Sequence, residues 1–359
     1  MAFYFVIFAI LFLLSFIEIA GLKKKDAVKV FLFFSFSFYI LSFIRWEVGT
    51  DWDSYIFYFD NISYWNQGSE YEWGFARINE FIKLNFNNYT ILLLTLGGIL
   101  FYFQSKAILE FSPFPIFSLF FLWAIIFGNI MFVRQWVAIA ILFYSVIYIQ
   151  QRCFAKFLIF VFIASLFHRS SFIFILAWWI YSLKWKVSTL VILLCISIAL
   201  TVFVAKMMEL LGSLFSGVIE AKLKVYLSDS STTFGTEASL LTIIIKGIAN
   251  KLLIFFAAIL LLKKIPSSEQ EKFRGYLNLY WFGAILYFST ISISVVFIRL
   301  THPFDIFQII LIPFLFKSPY LKGKPILFVM LSSYLAIRLY IALTTNYYDL
   351  YVPFKTILF

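Results

Sequence analysis

A run of twenty residues with a single charge, Ala2–Gly21, sets the first limit on what this chain can become. Hydrocarbon about 30 Å thick is crossed by roughly 20 helical residues at 1.5 Å each. Inside lipid, only helices and closed barrels satisfy their own backbone groups. The pattern recurs: beyond the first run (2–22), apolar stretches fall near 27–44, 89–105, 114–132, 134–150, 156–168, 170–183, 187–208, 240–262, 276–298, 303–316 and 325–343. A shorter stretch, 74–86, reads as a partial helix lying at the membrane surface. The chain is 63% hydrophobic and 13% charged, against about 45–50% and roughly 25% in soluble domains. The expectation is an all-α integral membrane protein of about twelve transmembrane helices, one polytopic domain over 1–359. Ala2–Gly21 has no basic start and no small-residue cleavage site, so it reads as a retained helix rather than a signal peptide.

Lysine sets the orientation. Lys23-Lys24-Lys25, Arg152 with Lys156, Lys184 with Lys186, Lys263-Lys264, and Lys317 with Lys322 and Lys324 fall in alternate loops, which should be cytoplasmic. Both termini and the loops 45–88 and 209–239 then face outside, and 13 of the 18 acids fall on that side. The net charge of +11 is thus a topology signal, and no nucleic-acid partner is expected. Cys153 and Cys195 fall in an inner loop and mid-helix, with neither disulfide nor metal-type spacing.

Arginine departs from this pattern. Six of eight (Arg45, Arg77, Arg134, Arg169, Arg299, Arg338) sit at or near the outer side, whereas 14 of 21 lysines stay inside. Topology requires no such separation. A guanidinium fork grips phosphate bidentately where an ammonium cannot, so an outward arginine cluster suggests a phosphate-bearing ligand.

The polar segment from Arg45 to about Asn88 holds seven acids: Glu47, Asp51, Asp53, Asp60, Glu70, Glu72 and Glu80. With them come Trp46, Trp52, Tyr55, Tyr58, Tyr64, Trp65, Tyr71 and Trp73. Such aromatics stack on sugar rings, and they also belong at membrane interfaces. In Arg45-x3-Gly49-Thr50-Asp51, a tight turn would project Asp51 beside the membrane surface; a solvated loop with a snorkelling arginine is the plainer reading. Asp51-Trp52-Asp53 also matches the Asp-x-Asp pattern of metal-dependent sugar transfer. Glu72 is either a solvated charge or a carboxylate that orients an arginine or meets sugar.

Arg134-Gln135 opens a helix, where snorkelling is the ordinary explanation. His168-Arg169-Ser170-Ser171 interrupts 156–183, since an unbroken helix there would carry Lys184 and Lys186 outside. Two short helices should meet at that point, and irregular backbone within a membrane is tolerated only when buried in protein or lining a wet cavity. An ionisable residue within a span is a functional hypothesis. Arg299 precedes Thr301-His302-Pro303. Arg338, inside the last helix, implies a partner, given insertion costs of about 2.5–3.5 kcal/mol for a central charge.

In order along the chain stand Arg45, Gly49, Thr50, Asp51 and Tyr55; Glu72, Gly74 and Phe75; Arg134-Gln135; Phe167-His168-x-Ser170; Arg299; and a tail with Tyr347, Tyr348, Tyr351 and Pro353. This series resembles the EpsG-like family of polysaccharide polymerases, a branch of the Wzy-type O-antigen polymerases, over nearly the whole chain. The resemblance implies a GT-C-like fold. It also implies growth of an O-antigen or exopolysaccharide on undecaprenyl pyrophosphate at the periplasmic face of the bacterial inner membrane. Implied partners are the lipid-linked oligosaccharide donor and acceptor, membrane lipid, a chain-length regulator and a flippase. Trp52 and Ser54 depart from the Tyr or Phe and Asn common in the family, which points to contacts specific to this glycan.

Transfer from a lipid pyrophosphate must stabilise charge on the leaving group, a task for preorganised arginines, and must take a proton from the acceptor hydroxyl. Arg45, Arg134, Arg169 and Arg299 are assigned to pyrophosphate, Asp51 to the base, and His168 to an alternate base or a pyrophosphate ligand. Gly49, Thr50, Tyr55, Glu72, Gln135 and Arg338 complete the substrate-contacting or orienting set. No metal and no cofactor is expected. The rivals are another lipid-linked-sugar glycosyltransferase, either metal-dependent through Asp51 and Asp53 or a lipid A-core ligase, and a lipid-linked oligosaccharide flippase. The flippase should carry inverted repeats and mid-membrane charge.

Overall fold

The computed structural model describes residues 1–62, 71–131, 133–214, 240–262, 265–292, 295–318, 323–344 and 348–358. Tyr64, Trp65, Glu70, Lys263, Lys264, Lys322, Tyr347 and most of the loop 209–239 lie outside them. The described residues are helical, apart from connections and one isolated bridge between Arg45 and Thr356. They form two compact units, residues 1–175 with 316–359, and residues 176–315.

The first unit contains α1 (Ala2–Gly21), α2 (Lys24–Ile44), α3 (Trp52–Asp60), α4 (Trp73–Phe86), α5 (Tyr89–Phe111), α6 (Pro115–Ile126), α7 (Arg134–Gln150) and α8 (Phe154–Ser165). After a 3-10 segment that begins at Arg169, the chain returns to this unit as α16 (Lys324–Thr344) and α17 (Tyr348–Tyr351). Four of these helices, α1, α2, α5 and α16, are long and apolar enough to cross a membrane. The chain is a membrane protein. Shorter apolar helices include Arg134–Gln150 and Phe154–Ser165.

α6 is the buried centre of the unit: every side chain from Pro115 to Ala124 is buried, as expected of a helix apolar all round. Pro115 starts it, where a missing N–H costs nothing. Glu18, the one charge of the first run, reaches its amino end. Ile116 and Phe117 donate their N–H groups to Glu18 Oε1 and Oε2 at 3.1 and 2.9 Å. A helix start buried in apolar surroundings needs such an acceptor. At the other end Phe127, Gly128 and Asn129 are all left-handed. A Cβ at Gly128 would sit 2.7 Å from the Phe38 ring.

The described parts of the segment 45–88 are largely helical. α3 buries Trp52, Tyr55, Tyr58 and Phe59 on one face and exposes Asp51, Asp53 and Asp60. This amphipathic helix was not expected, because its aromatics and acids read as loop composition. α4 matches the helix expected at 74–86. Asn87 ends α4 in the left-handed conformation, and Asn88 Oδ1 accepts the Thr90 N–H at 2.8 Å to start α5.

The second unit holds α9 (Ala177–Ile180), α10 (Val187–Leu214), α11 (Leu240–Gly247), a π-helical turn Ile248–Leu252, α12 (Leu253–Leu262), α13 (Ser267–Thr290), α14 (His302–Asp305) and α15 (Gln308–Lys317). α13 differs from the expected span 276–298: it begins nine residues earlier (276 − 267 = 9) and stops at Thr290. Its first turns carry Glu269, Lys272 and Arg274, and Glu269 suits the positive end of a helix dipole. In this unit Asn278 Nδ2 gathers the carbonyls of Ile180, Tyr181 and Leu183. Lys251, in the π turn and 7% exposed, pairs with Asp305, which also accepts from Thr301 Oγ1 at 2.7 Å.

Candidate functional site

The Arg45 loop is built from both ends of the chain. Ile357 N–H donates to Ile44 O at 2.8 Å, Trp46 N–H to Lys355 O at 3.0 Å, and Gly49 N–H to Leu350 O at 2.9 Å. Lys355 Nζ meets Glu47 Oε2 at 3.0 Å. Inside this frame Arg45 is 3% exposed. Its Nε donates to Ser42 O at 3.1 Å, Nη1 donates to Val48 O, and the guanidinium faces the Trp52 ring at 5.3 Å. Burial pushes the group down to about 10, so it stays charged at neutral pH. Gly49 packs on it. With φ +114° and a would-be Cβ 3.1 Å from both Arg45 Nη1 and Met131 O, the position admits only glycine.

The turn delivers Asp51 to the amino end of α3, exposed, with its carboxylate unused by the helix amides. Thr50 Oγ1 lies 3.4 Å from Oδ1, and the Tyr55 hydroxyl donates to Oδ2 at 3.5 Å, a long contact. Burial, then the Asp51 charge, raises the Tyr55 phenol well above its ordinary range. It therefore remains a donor at neutral pH.

Tyr55 also faces Arg134, whose guanidinium stands 4.7 Å from the Tyr71 ring centre and 5.9 Å from those of Tyr55 and Phe75. Glu72 fixes this arginine: Arg134 Nη1 donates to Glu72 Oε2 at 3.0 Å, with both side chains largely buried. Among the described residues the buried Arg134 Nε has no hydrogen-bond partner. The other Glu72 oxygen accepts the Arg169 backbone N–H at 3.0 Å. One carboxylate thus ties the start of α7 to the helix break.

That break falls where the sequence placed it. α8 ends at Ser165, and a 3-10 segment starts at Arg169. Gly74 makes the close approach possible: the N–H groups of Gly74 and Phe75 both donate to Leu166 O, and a Cβ on Gly74 would lie 2.8 Å from Leu166 Cβ. His168 is buried, while Arg169 is exposed. His168 Nδ1 shares a 2.6 Å hydrogen bond with Ser170 Oγ and accepts the Ser170 N–H at 3.3 Å. An accepting Nδ1 puts the neutral ring's proton on Nε2, an assignment from the bonding pattern.

The structure therefore brings together Asp51, Tyr55, Glu72, Arg134 and the His168-Arg169 pair, with Gly49 and Arg45 in the supporting turn. Gln135 follows Arg134 in the first turn of α7. Arg338 lies on α16, its Nη1 3.4 Å from the Tyr334 hydroxyl. Arg299 belongs to the second unit, exposed in a 3-10 segment. Sequence reasoning missed Tyr71 as the ring on which Arg134 rests, and the pairing of Lys251 with Asp305. Among the described residues no three His, Cys, Asp or Glu side chains converge as a metal site would require.

No curated protein and no solved structure matches the chain. The model of the EpsG family matches residues 28–356, a range that spans every one of the site residues above. The chain is a member of the EpsG family.

Proposed function

We propose that this protein is a polysaccharide polymerase: a glycosyltransferase, GT-C-like with about twelve spans, that joins oligosaccharide repeat units carried on undecaprenyl pyrophosphate. Its site faces the periplasm from the bacterial inner membrane. The observation that carries the reading is Arg134, clamped by Glu72 against three aromatic rings, with a buried Nε that has no hydrogen-bond partner among the described residues. A buried guanidinium N–H without an acceptor is costly, and a phosphate oxygen would supply one.

In the proposed step, an acceptor sugar hydroxyl attacks the anomeric carbon of the donor. The bond from that carbon to the pyrophosphate oxygen breaks, and its electron pair leaves with undecaprenyl pyrophosphate. Arg134 and Arg169 hold the charge as it develops, and Asp51 takes the hydroxyl proton. His168, whose Nδ1 shares a hydrogen bond with Ser170 Oγ, is the alternate base or a pyrophosphate ligand. Arg45 acts through the turn it holds. The sequence-based assignment of Arg299 to pyrophosphate is tested by Arg299→Lys. A flippase and a chain-length regulator would work beside it.

The test is deletion in the native cell. Surface glycan should then carry single repeat units, because units would still be made and moved outward. Units trapped on the cytoplasmic face would contradict the polymerase and favour a flippase. A periplasm-active reporter fused at 50–60 should be active, and one fused at 23–26 silent; the reverse pattern would overturn the orientation.

A further inference from the structure

An apolar groove of about 310 Å³ runs along the seam of α2 and α5, both helices of spanning length. On α2 its wall is Leu32, Ser35, Phe36 and Tyr39, positions three or four apart that share a face. On α5 it is Gly98, Phe101, Tyr102 and Ser105. Three of the polar groups in these walls are bonded within the protein: Ser35 and Ser105 hydroxyls pair, and Tyr39 OH donates to Leu94 O at 3.1 Å. The rest of the lining is mostly hydrocarbon.

The two adjacent glycines do different work. Gly97 closes the helices on each other, since a Cβ there would lie 2.8 Å from Ser42 Oγ. Gly98, one position round, has no atom nearer than the Tyr39 hydroxyl at 3.5 Å. Its missing side chain opens the groove rather than permitting contact.

Phe101 lines this groove and also a small cavity beneath Arg45, whose other walls include Ser42, Gly97, Asn129 and Val133. Val133 directly precedes Arg134. The groove and the cavity beneath Arg45 thus share one wall, Phe101. From Ser42 to Leu32 the seam is about 15 Å long at 1.5 Å per residue, roughly half of a 30 Å hydrocarbon core. Lys106, its ammonium 5.8 Å from the Tyr102 ring, marks the inner end with a charge.

We infer that this seam holds the polyprenyl tail of the lipid-linked donor, with the pyrophosphate at Arg134. The inference rests on the polymerase reading. A lipid whose diphosphate sits at Arg134 must send its first isoprene units down an apolar path starting beside Val133, and the α2–α5 seam is such a path of one leaflet's depth.

The test uses the full-length protein in phospholipid nanodiscs and a sugar-free polyprenyl diphosphate with a diazirine in its tail. Label should map to residues 32–39 and 98–105 and be competed by unlabelled polyprenyl diphosphate. Gly98→Leu, whose Cβ has room, should fill the groove. It should remove that label and lower polymerisation at least about tenfold, the scale on which an apolar site resolves a methylene or two, without lowering the melting temperature. Seam label that polyprenyl diphosphate does not compete, and that a diazirine phospholipid matches, would mean bulk lipid and overturn the inference. Competed label elsewhere, with Gly98→Leu polymerising normally, would overturn the groove and leave the polymerase standing. No competed label anywhere would overturn both.

Discussion

Arg45 and Arg134 both belong to the first unit and both lie against aromatic rings, yet they are held in opposite ways. Arg45 turns inward, and two of its nitrogens are taken by backbone carbonyls, of Ser42 in the last turn of α2 and of Val48 in its own loop. Arg134 is held by a carboxylate and ring faces, with a buried Nε that has no partner among the described residues. An outward arginine in the sequence does not by itself mark a phosphate ligand; what its N–H groups already bond decides. By that measure Arg45 supports the turn that carries Asp51, and Arg134 is the proposed phosphate ligand.

The largest expected effect lies where the arrangement meets chemistry. Asp51→Asn should lower the polymerisation rate by about 10²–10⁴-fold, the usual worth of a general base, while donor binding holds. Asp53→Asn, two residues on, should cost far less. If His168→Ala alone abolishes the rate with binding preserved, the base is His168 and the assignment is wrong. Glu72→Gln should weaken the grip on Arg134 and cost about 10–10²-fold, an intermediate loss between base removal and a remote change. Normal activity in that variant would show that Arg134 needs no clamp.

Gly49→Ala sharpens the other half of the comparison. Left-handed strain and crowding against Arg45 should cost about 1–3 kcal/mol of stability, read as a lower melting temperature and lower protein level, with activity per folded molecule little changed. Unchanged melting would mean that the turn is not the scaffold described. The smallest effect is expected from excess EDTA. Polymerisation of lipid-linked repeats by purified protein should persist, and a loss restored by Mg²⁺ or Mn²⁺ would favour the Asp51–Asp53 metal mechanism.

Helices and the break at His168 were legible because each is written locally, in apolar run length and in the position of Lys184 and Lys186. α3 was not: alternating acids and aromatics resemble loop composition, and its periodicity spans barely two turns. The bonds that make the site are long-range. Glu72 meets Arg134 across 62 positions, and Glu18 reaches Ile116 across 98. Patterning reports which face of a helix is apolar and nothing about which distant residue fills it. The lining up of site types along the chain was readable; that Arg45 would bond its neighbouring backbone carbonyls was not.

The most direct measurement sets Arg45→Lys beside Arg134→Lys in the same detergent, reading melting temperature and polymerisation rate per folded molecule. Lysine keeps the charge and loses the fork. Arg134→Lys should melt with the wild type and lose about 10²–10³-fold in rate, the scale of removing one preorganised donor. Arg45→Lys should melt lower and keep most of its rate per folded molecule. The reverse outcome, a stable but inactive Arg45→Lys beside an active Arg134→Lys, would contradict the division between scaffold and phosphate-binding arginine.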